Sequence, residues 1–114
     1  VLFACSACDK TDGAPPGILA SSEARAKGAA LFQEHCALCH GTLADGNGVR
    51  KAGLSGKPVS FRDKAWRSGA KPNKVFFSIR NGVPGTSMPA WRSLGDDDTW
   101  ALVAYVLSVS EGGP

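Results

Sequence analysis

No stretch of this 114-residue chain is apolar for long enough to span a bilayer as a helix. The longest apolar run, Trp100 to Leu107, falls far short of the roughly 20 residues that a span requires. Histidine is scarce as well, with only His35 and His40 to supplement four cysteines. A zinc centre needs about four ligands, and His40, which closes a motif of its own, has a better explanation than zinc. Methionine occurs once, at Met88. Between Arg50 and Arg80, acid is nearly missing. Asp63 stands alone against Arg50, Lys51, Lys57, Arg62, Lys64, Arg67, Lys71, Lys74 and Arg80. No recognition motif accompanies that charge, which argues against nucleic acid as a partner. The length allows one small domain and not two, with a limited core of its own.

What is present centres on Cys36-Ala37-Leu38-Cys39-His40. Two cysteines spaced by two residues and followed at once by histidine form the signature of covalent haem attachment. Each thiol can add to one haem vinyl group, and three positions of a helical turn bring both sulfurs to one side. The next residue, His40, can then offer its imidazole to the iron as proximal ligand. Met88 lies in Gly85-Thr86-Ser87-Met88-Pro89, a loop composition and not an apolar helix face, so it is the expected sixth ligand from the opposite side. His35 precedes the motif and reads as a helix-end residue. A second pair, Cys5-Ser6-Ala7-Cys8, is followed by Asp9 and lacks the ligand, so one haem is expected. Cys5 and Cys8 fit a local disulfide of an oxidising compartment or a lipid-bearing cysteine. Leu2-Phe3-Ala4-Cys5 resembles a bacterial lipoprotein cleavage box. A thioredoxin-like pair is disfavoured, since no strand–helix pattern surrounds it.

Residues 1–20 read as an irregular lead-in, with Asp12-Gly13-Ala14-Pro15-Pro16-Gly17 as turn and linker. Residues 21–35 read as a first helix, capped by Ser21 or Ser22 and favoured by Glu23 at its positive end. Gly28 interrupts its alanines at a cost of about 1 kcal/mol and points to close approach of another backbone, with Phe32 on the same face. Residues 41–70 are mostly loop, with a short helix around Phe61 to Ser68 that directs Trp66 inward. Residues 73–81 read as a helix capped by Asn73 and stopped by Gly82. Residues 96–109 form the last, capped by one of Asp96 to Asp98. Ala101, Ala104, Tyr105 and Ser108 share one face beside Trp100, Val103 and Leu107, so this helix is expected to be largely buried. Small residues on both sides predict a close crossing of the first and last helices, with Phe32 and Tyr105 packed there.

With its CxxCH motif, Gly85-Thr86-Ser87-Met88-Pro89, Gly28 with Phe32, and Tyr105, the chain resembles small bacterial class I mono-haem cytochromes c over roughly residues 22–110. The resemblance implies an all-α fold, with N- and C-terminal helices crossing and short helices and loops around one covalent haem. It places the cytochrome domain at 21–114 and leaves residues 1–20, with Cys5 and Cys8, outside. It also implies export, to the periplasm or the outer face of the cytoplasmic membrane. A chain opening on Val1 then suggests a signal peptide or anchor removed upstream.

The leading functional expectation is a one-electron carrier with Cys36 and Cys39 bonded to haem and His40 and Met88 on the iron. With both axial positions filled, the iron exchanges electrons and does not bind substrate. Its partners are other redox proteins. The formal charge of +3 falls to slightly basic with haem, which contributes about +1 at the centre and about −2 from its propionates. The segment 50–80 is a solvated basic face or a patch that steers an acidic partner. The alternatives are a subunit or tethered haem domain of a larger oxidase complex, with a lipid anchor at Cys5 or Cys8, and an open-site peroxidase-like or gas-binding protein. Packing or solvation is the default reading of Trp66, Trp91, Arg62, Arg80 and Arg92, whose N–H donors could also bond the propionates.

Overall fold

The structure, a computed structural model, describes residues 13–111; Cys5, Cys8 and the turn's start at Asp12 lie outside the described residues. Among those residues it is all-helical: α1 (Ser22–His35), α2 (Ala37–His40), α3 (Lys64–Gly69), α4 (Pro72–Asn81) and α5 (Asp96–Ser108). Single 3-10 turns occur at Ile18–Ala20, Lys51–Gly53 and Val109–Glu111.

Helix α1 starts where its chemistry dictates. The Ser21 hydroxyl accepts from the Ala24 N–H at 3.1 Å, and Glu23 sits in the first turn. Gly28 is buried where α1 meets α5. A Cβ there would lie 2.0 Å from the Ala101 carbonyl oxygen and 2.8 Å from Tyr105 Cβ, so no other residue fits. One turn on, Phe32 is fully buried with its ring 5.2 Å from that of Tyr105. The predicted crossing of first and last helices is therefore present, with the predicted residues in it. Helix α5 is buried over most of its surface, including Leu102, Val103, Ala104 and Val106. The Lys27 ammonium, 2.8 Å from the Asp98 carboxylate, ties the outer edge of the crossing, and that carboxylate raises the lysine's pKa.

Two caps differ from expectation. Helix α4 begins at Pro72, with Lys71 at the cap position and no side-chain cap. Asn73 is already inside it. Proline supplies the helical φ and lacks the N–H that a cap would satisfy, so it outcompetes asparagine as the starting signal. Helix α5 is preceded by Gly95, and none of Asp96, Asp97 or Asp98 caps it. These three occupy the first turn, where their charge meets the positive helix end. Asp96 also binds Arg80, and the Thr99 hydroxyl donates to the Gly95 carbonyl at 2.9 Å. Part of the lead-in belongs to the helical body: Leu19 packs on the core, Ala14 is buried, and the Leu19 carbonyl accepts from Arg25 Nε at 2.9 Å.

Candidate functional site

Cys36, Cys39 and His40, from one short motif, and the sequence-distant Met88 line one apolar cavity of about 400 Å³ between α1, α4, α5 and the loops. Phe32, Val59, Phe61, Trp66, Ile79 and Val106 supply much of its wall. Helix α1 ends at His35, the chain turns at Cys36, and the single turn of α2 follows. That turn carries Cys39 and His40, so the attachment motif is fixed to the end of α1, which is anchored by the buried Ala24, Gly28 and Phe32. His35 itself is half-buried, with its ring 5.0 Å from that of Trp91 and away from the cavity lining.

Cys36 and Cys39 are not joined to each other. Burial, with the neighbouring Cys39 adding to it, pushes the Cys36 thiol up to about 11, which keeps it protonated at neutral pH. His40 Nδ1 lies 3.1 Å from the Val59 carbonyl oxygen. A carbonyl can only accept, so Nδ1–H donates and Nε2 keeps its lone pair. Burial lowers the pKa of His40, and the bond to Val59 opposes this only in part. The imidazole is thus held neutral and in the tautomer that a metal ligand needs.

Met88 reaches the cavity on an exposed loop. The Met88 N–H donates to Thr86 Oγ1 at 3.2 Å, the Ser87 N–H donates to the Ser55 carbonyl at 3.0 Å, and Ser87 Oγ accepts from the Ser55 N–H at 2.8 Å. Gly82 is required at the loop's start. It has φ 73°, and a Cβ would lie 2.8 Å from the Met88 carbonyl oxygen.

These residues fit a haem. Two thiols not joined in a disulfide, an imidazole nitrogen with a free lone pair and a thioether sulfur border an apolar cavity, the donor set of a covalently held iron porphyrin. Among the described residues no three His, Cys, Asp or Glu side chains gather as a metal-ion site.

The structure also sorts the basic segment. Arg62 Nε donates to the Leu43 carbonyl at 2.6 Å and Arg67 Nε to the Leu107 carbonyl at 2.9 Å. Arg80 pairs with Asp96 and lies over the Phe76 ring at 5.7 Å, and Lys51 bonds Asn47 at 2.7 Å. Lys57, Lys71 and Lys74 are exposed and border the cavity. Of the five propionate candidates only Trp66 lines it. Arg92 bonds the Asn81 side chain. The residues that sequence reasoning passed over are Val59, which acts through a backbone carbonyl, and Phe61.

Residues 23–106 match the family described as cytochrome C oxidase, cbb3-type, subunit III. The chain is 38% identical over 88 residues to the cbb3-type cytochrome c oxidase subunit FixP of Bradyrhizobium sp. (strain ORS 278), covering 76% of this chain and 28% of that protein. It is 33% identical over 78 residues to cytochrome c55X of Paracoccus denitrificans, covering 68% of this chain and 66% of that protein. Among solved structures it resembles a chain of the Kuenenia stuttgartiensis reducing HAO-like protein complex Kustc0457/Kustc0458, with TM-score 0.70, 28% identity, and coverage of 78% of this chain and 44% of that one. The chain thus spans under a third of the length of its FixP relative. With the helix crossing, the attachment motif and this match, the chain belongs to the cbb3-type cytochrome c oxidase subunit III family and is a small c-type cytochrome domain.

Proposed function

We propose that this domain carries single electrons on one covalent haem, held by Cys36 and Cys39 and ligated by His40 and Met88. The observation that carries the reading is the convergence of these four side chains on one apolar cavity. Bound there, haem supplies a one-electron Fe(III)/Fe(II) couple. The chain's residues do the rest. Val59 holds His40 with Nε2 available, and the apolar wall excludes water, which together with methionine ligation favours the ferrous state. With both axial positions supplied by protein, no substrate position is left. The functional unit we infer is the domain of residues 21–114, with Ala14 and Leu19 of the lead-in packed onto it.

The test is intact mass with visible spectroscopy on protein matured by an export and haem-attachment system. One haem per chain, a low-spin spectrum and slow cyanide binding are expected. Two haems, or rapid carbon monoxide and cyanide binding, would overturn the reading.

Membership of an oxidase-subunit family favours a second, compatible reading: the domain delivers electrons inside a larger oxidase complex at the periplasmic face of the membrane. Lys57, Lys71 and Lys74 beside the cavity suit an acidic redox partner. Electron transfer to such a partner should slow as salt screens the contact, and a flat salt profile would remove this docking face. The same mass measurement reads the state of Cys5 and Cys8: two hydrogens lost for a disulfide, a large gain for a lipid anchor.

A further inference from the structure

The hydrogen bond to Val59 fixes one point of the His40 ring but leaves the ring free to pivot about that point. A second contact removes this freedom. The Phe61 ring lies 4.8 Å from the His40 ring at an interplanar angle of 29°, close to parallel. An imidazole binds iron through Nε2 in its own plane, so a ring against its face leaves coordination open while defining the plane's direction.

Phe61 is itself held on three sides. Trp66 meets it edge-on at 4.9 Å and 69°, and the fully buried Phe32 meets it at 6.0 Å and 76°. Its backbone is anchored as well: the Phe61 N–H donates to the Ala44 carbonyl at 2.8 Å. Ala44 is the one non-glycine residue with positive φ among the described residues, at 60°, and it is fully buried. Its own N–H donates to the Gly41 carbonyl at 3.0 Å, one residue after His40. A left-handed alanine is an unfavourable conformation. Here it turns the chain after His40 so that its carbonyl meets the returning segment that holds both Val59 and Phe61.

Resting on the reading of His40 as an iron ligand, we propose that Phe61 is a positioning residue that sets the plane of the His40 imidazole, through a stacked ring clamped by Trp66, Phe32 and the Ala44 carbonyl. The direction of that plane determines which iron d orbitals the imidazole overlaps. It is therefore read in the ferric g values and in the order of the haem-methyl NMR shifts, and a residue that merely fills the core would not move either.

The test uses the ferric holoprotein with Phe61→Leu and Phe61→Ile, which keep an apolar side chain without a planar face, and Phe61→Tyr, which restores the ring. Either aliphatic variant that loads haem should shift the g values and reorder the methyl shifts, while Phe61→Tyr returns both to the wild-type pattern. All should keep the near-infrared Met–iron charge-transfer band. Wild-type g values and methyl order in an aliphatic variant would overturn the proposal. Failure of both aliphatic variants to load haem while Phe61→Tyr loads, yet differs from wild type in both signatures, would also overturn it. Absence of the hyperfine-shifted ring-proton resonances of an iron-bound histidine in the wild-type protein would instead defeat the ligand assignment on which the proposal rests.

Discussion

The two segments proposed to carry the iron ligands are built in opposite ways. His40 stands on a helical turn that follows directly on the end of α1, with a carbonyl at Nδ1 and an aromatic ring on its face. Met88 stands on a loop whose residues 83–87 are exposed, held by hydroxyl and backbone bonds. Burial makes the first side costly to disturb, since every change there opens a cavity or strands a polar group. The second side can open locally at the cost of a few hydrogen bonds. The methionine side should therefore yield first, leaving the histidine bond intact.

The largest effect should come from Gly28→Ala, which attacks the support of the histidine side. Alanine gains about 1 kcal/mol of helix propensity. Its Cβ would meet the Ala101 carbonyl oxygen at 2.0 Å, so the crossing must shift. Overpacking of a rigid contact costs about 3 kcal/mol or more, which wins. Denaturant unfolding of the holoprotein should show a net loss of about 2 kcal/mol or more; equal or higher stability would mean the helices are not in close contact.

Gly82→Ala breaks the other side. It forces a side chain into φ 73° and against the Met88 carbonyl oxygen, at about 1–2 kcal/mol for the backbone alone. The ferric protein should bind cyanide at least several-fold faster, with little change in the His40 signature. An unchanged rate would mean the methionine loop does not gate the iron. Thr86→Val is milder. It removes the bond that Thr86 Oγ1 donates to the Val83 carbonyl at 2.7 Å and the one it accepts from Met88 N–H. At about 1 kcal/mol this corresponds to roughly fivefold in cyanide binding.

The smallest effect lies on the histidine side. Asp45 accepts from the Asn47 N–H at 3.0 Å, which holds its carboxyl below the usual range. A depressed folded pKa adds stability above the unfolded value of about 3.9 that is lost as pH falls through the folded value. Acid unfolding should begin slightly less steeply in Asp45→Asn. Because Asp45 is open to water, a large difference between the two curves would contradict this placement.

The sequence carried the comparison unequally. CxxCH and a lone methionine are legible because chemistry restricts those residue types, and Gly28 is legible because a glycine among alanines has a local cost. The clamp on His40 was not. Val59 acts through a carbonyl that any residue could provide, and Phe61 reads like any core aromatic. The left-handed turn at Ala44 hid behind a residue type that rarely adopts it. The two misread caps differ in cause: Asn73 has the right side chain, but Pro72 already sets the helical φ, whereas Asp96 to Asp98 fall inside the first turn and not before it. The arginines offered for the propionates are engaged with carbonyls, Asp96 and Asn81, partners that appear only when the chain is folded.

The central claim is that Met88 closes the iron opposite His40. Near-infrared absorption of the ferric holoprotein, compared with Met88→Ala, tests it most directly. A methionine–iron charge-transfer band is expected in the wild type and none in the variant, with a lower reduction potential in the variant. A wild type without the band, or a variant that retains both band and potential, would contradict it.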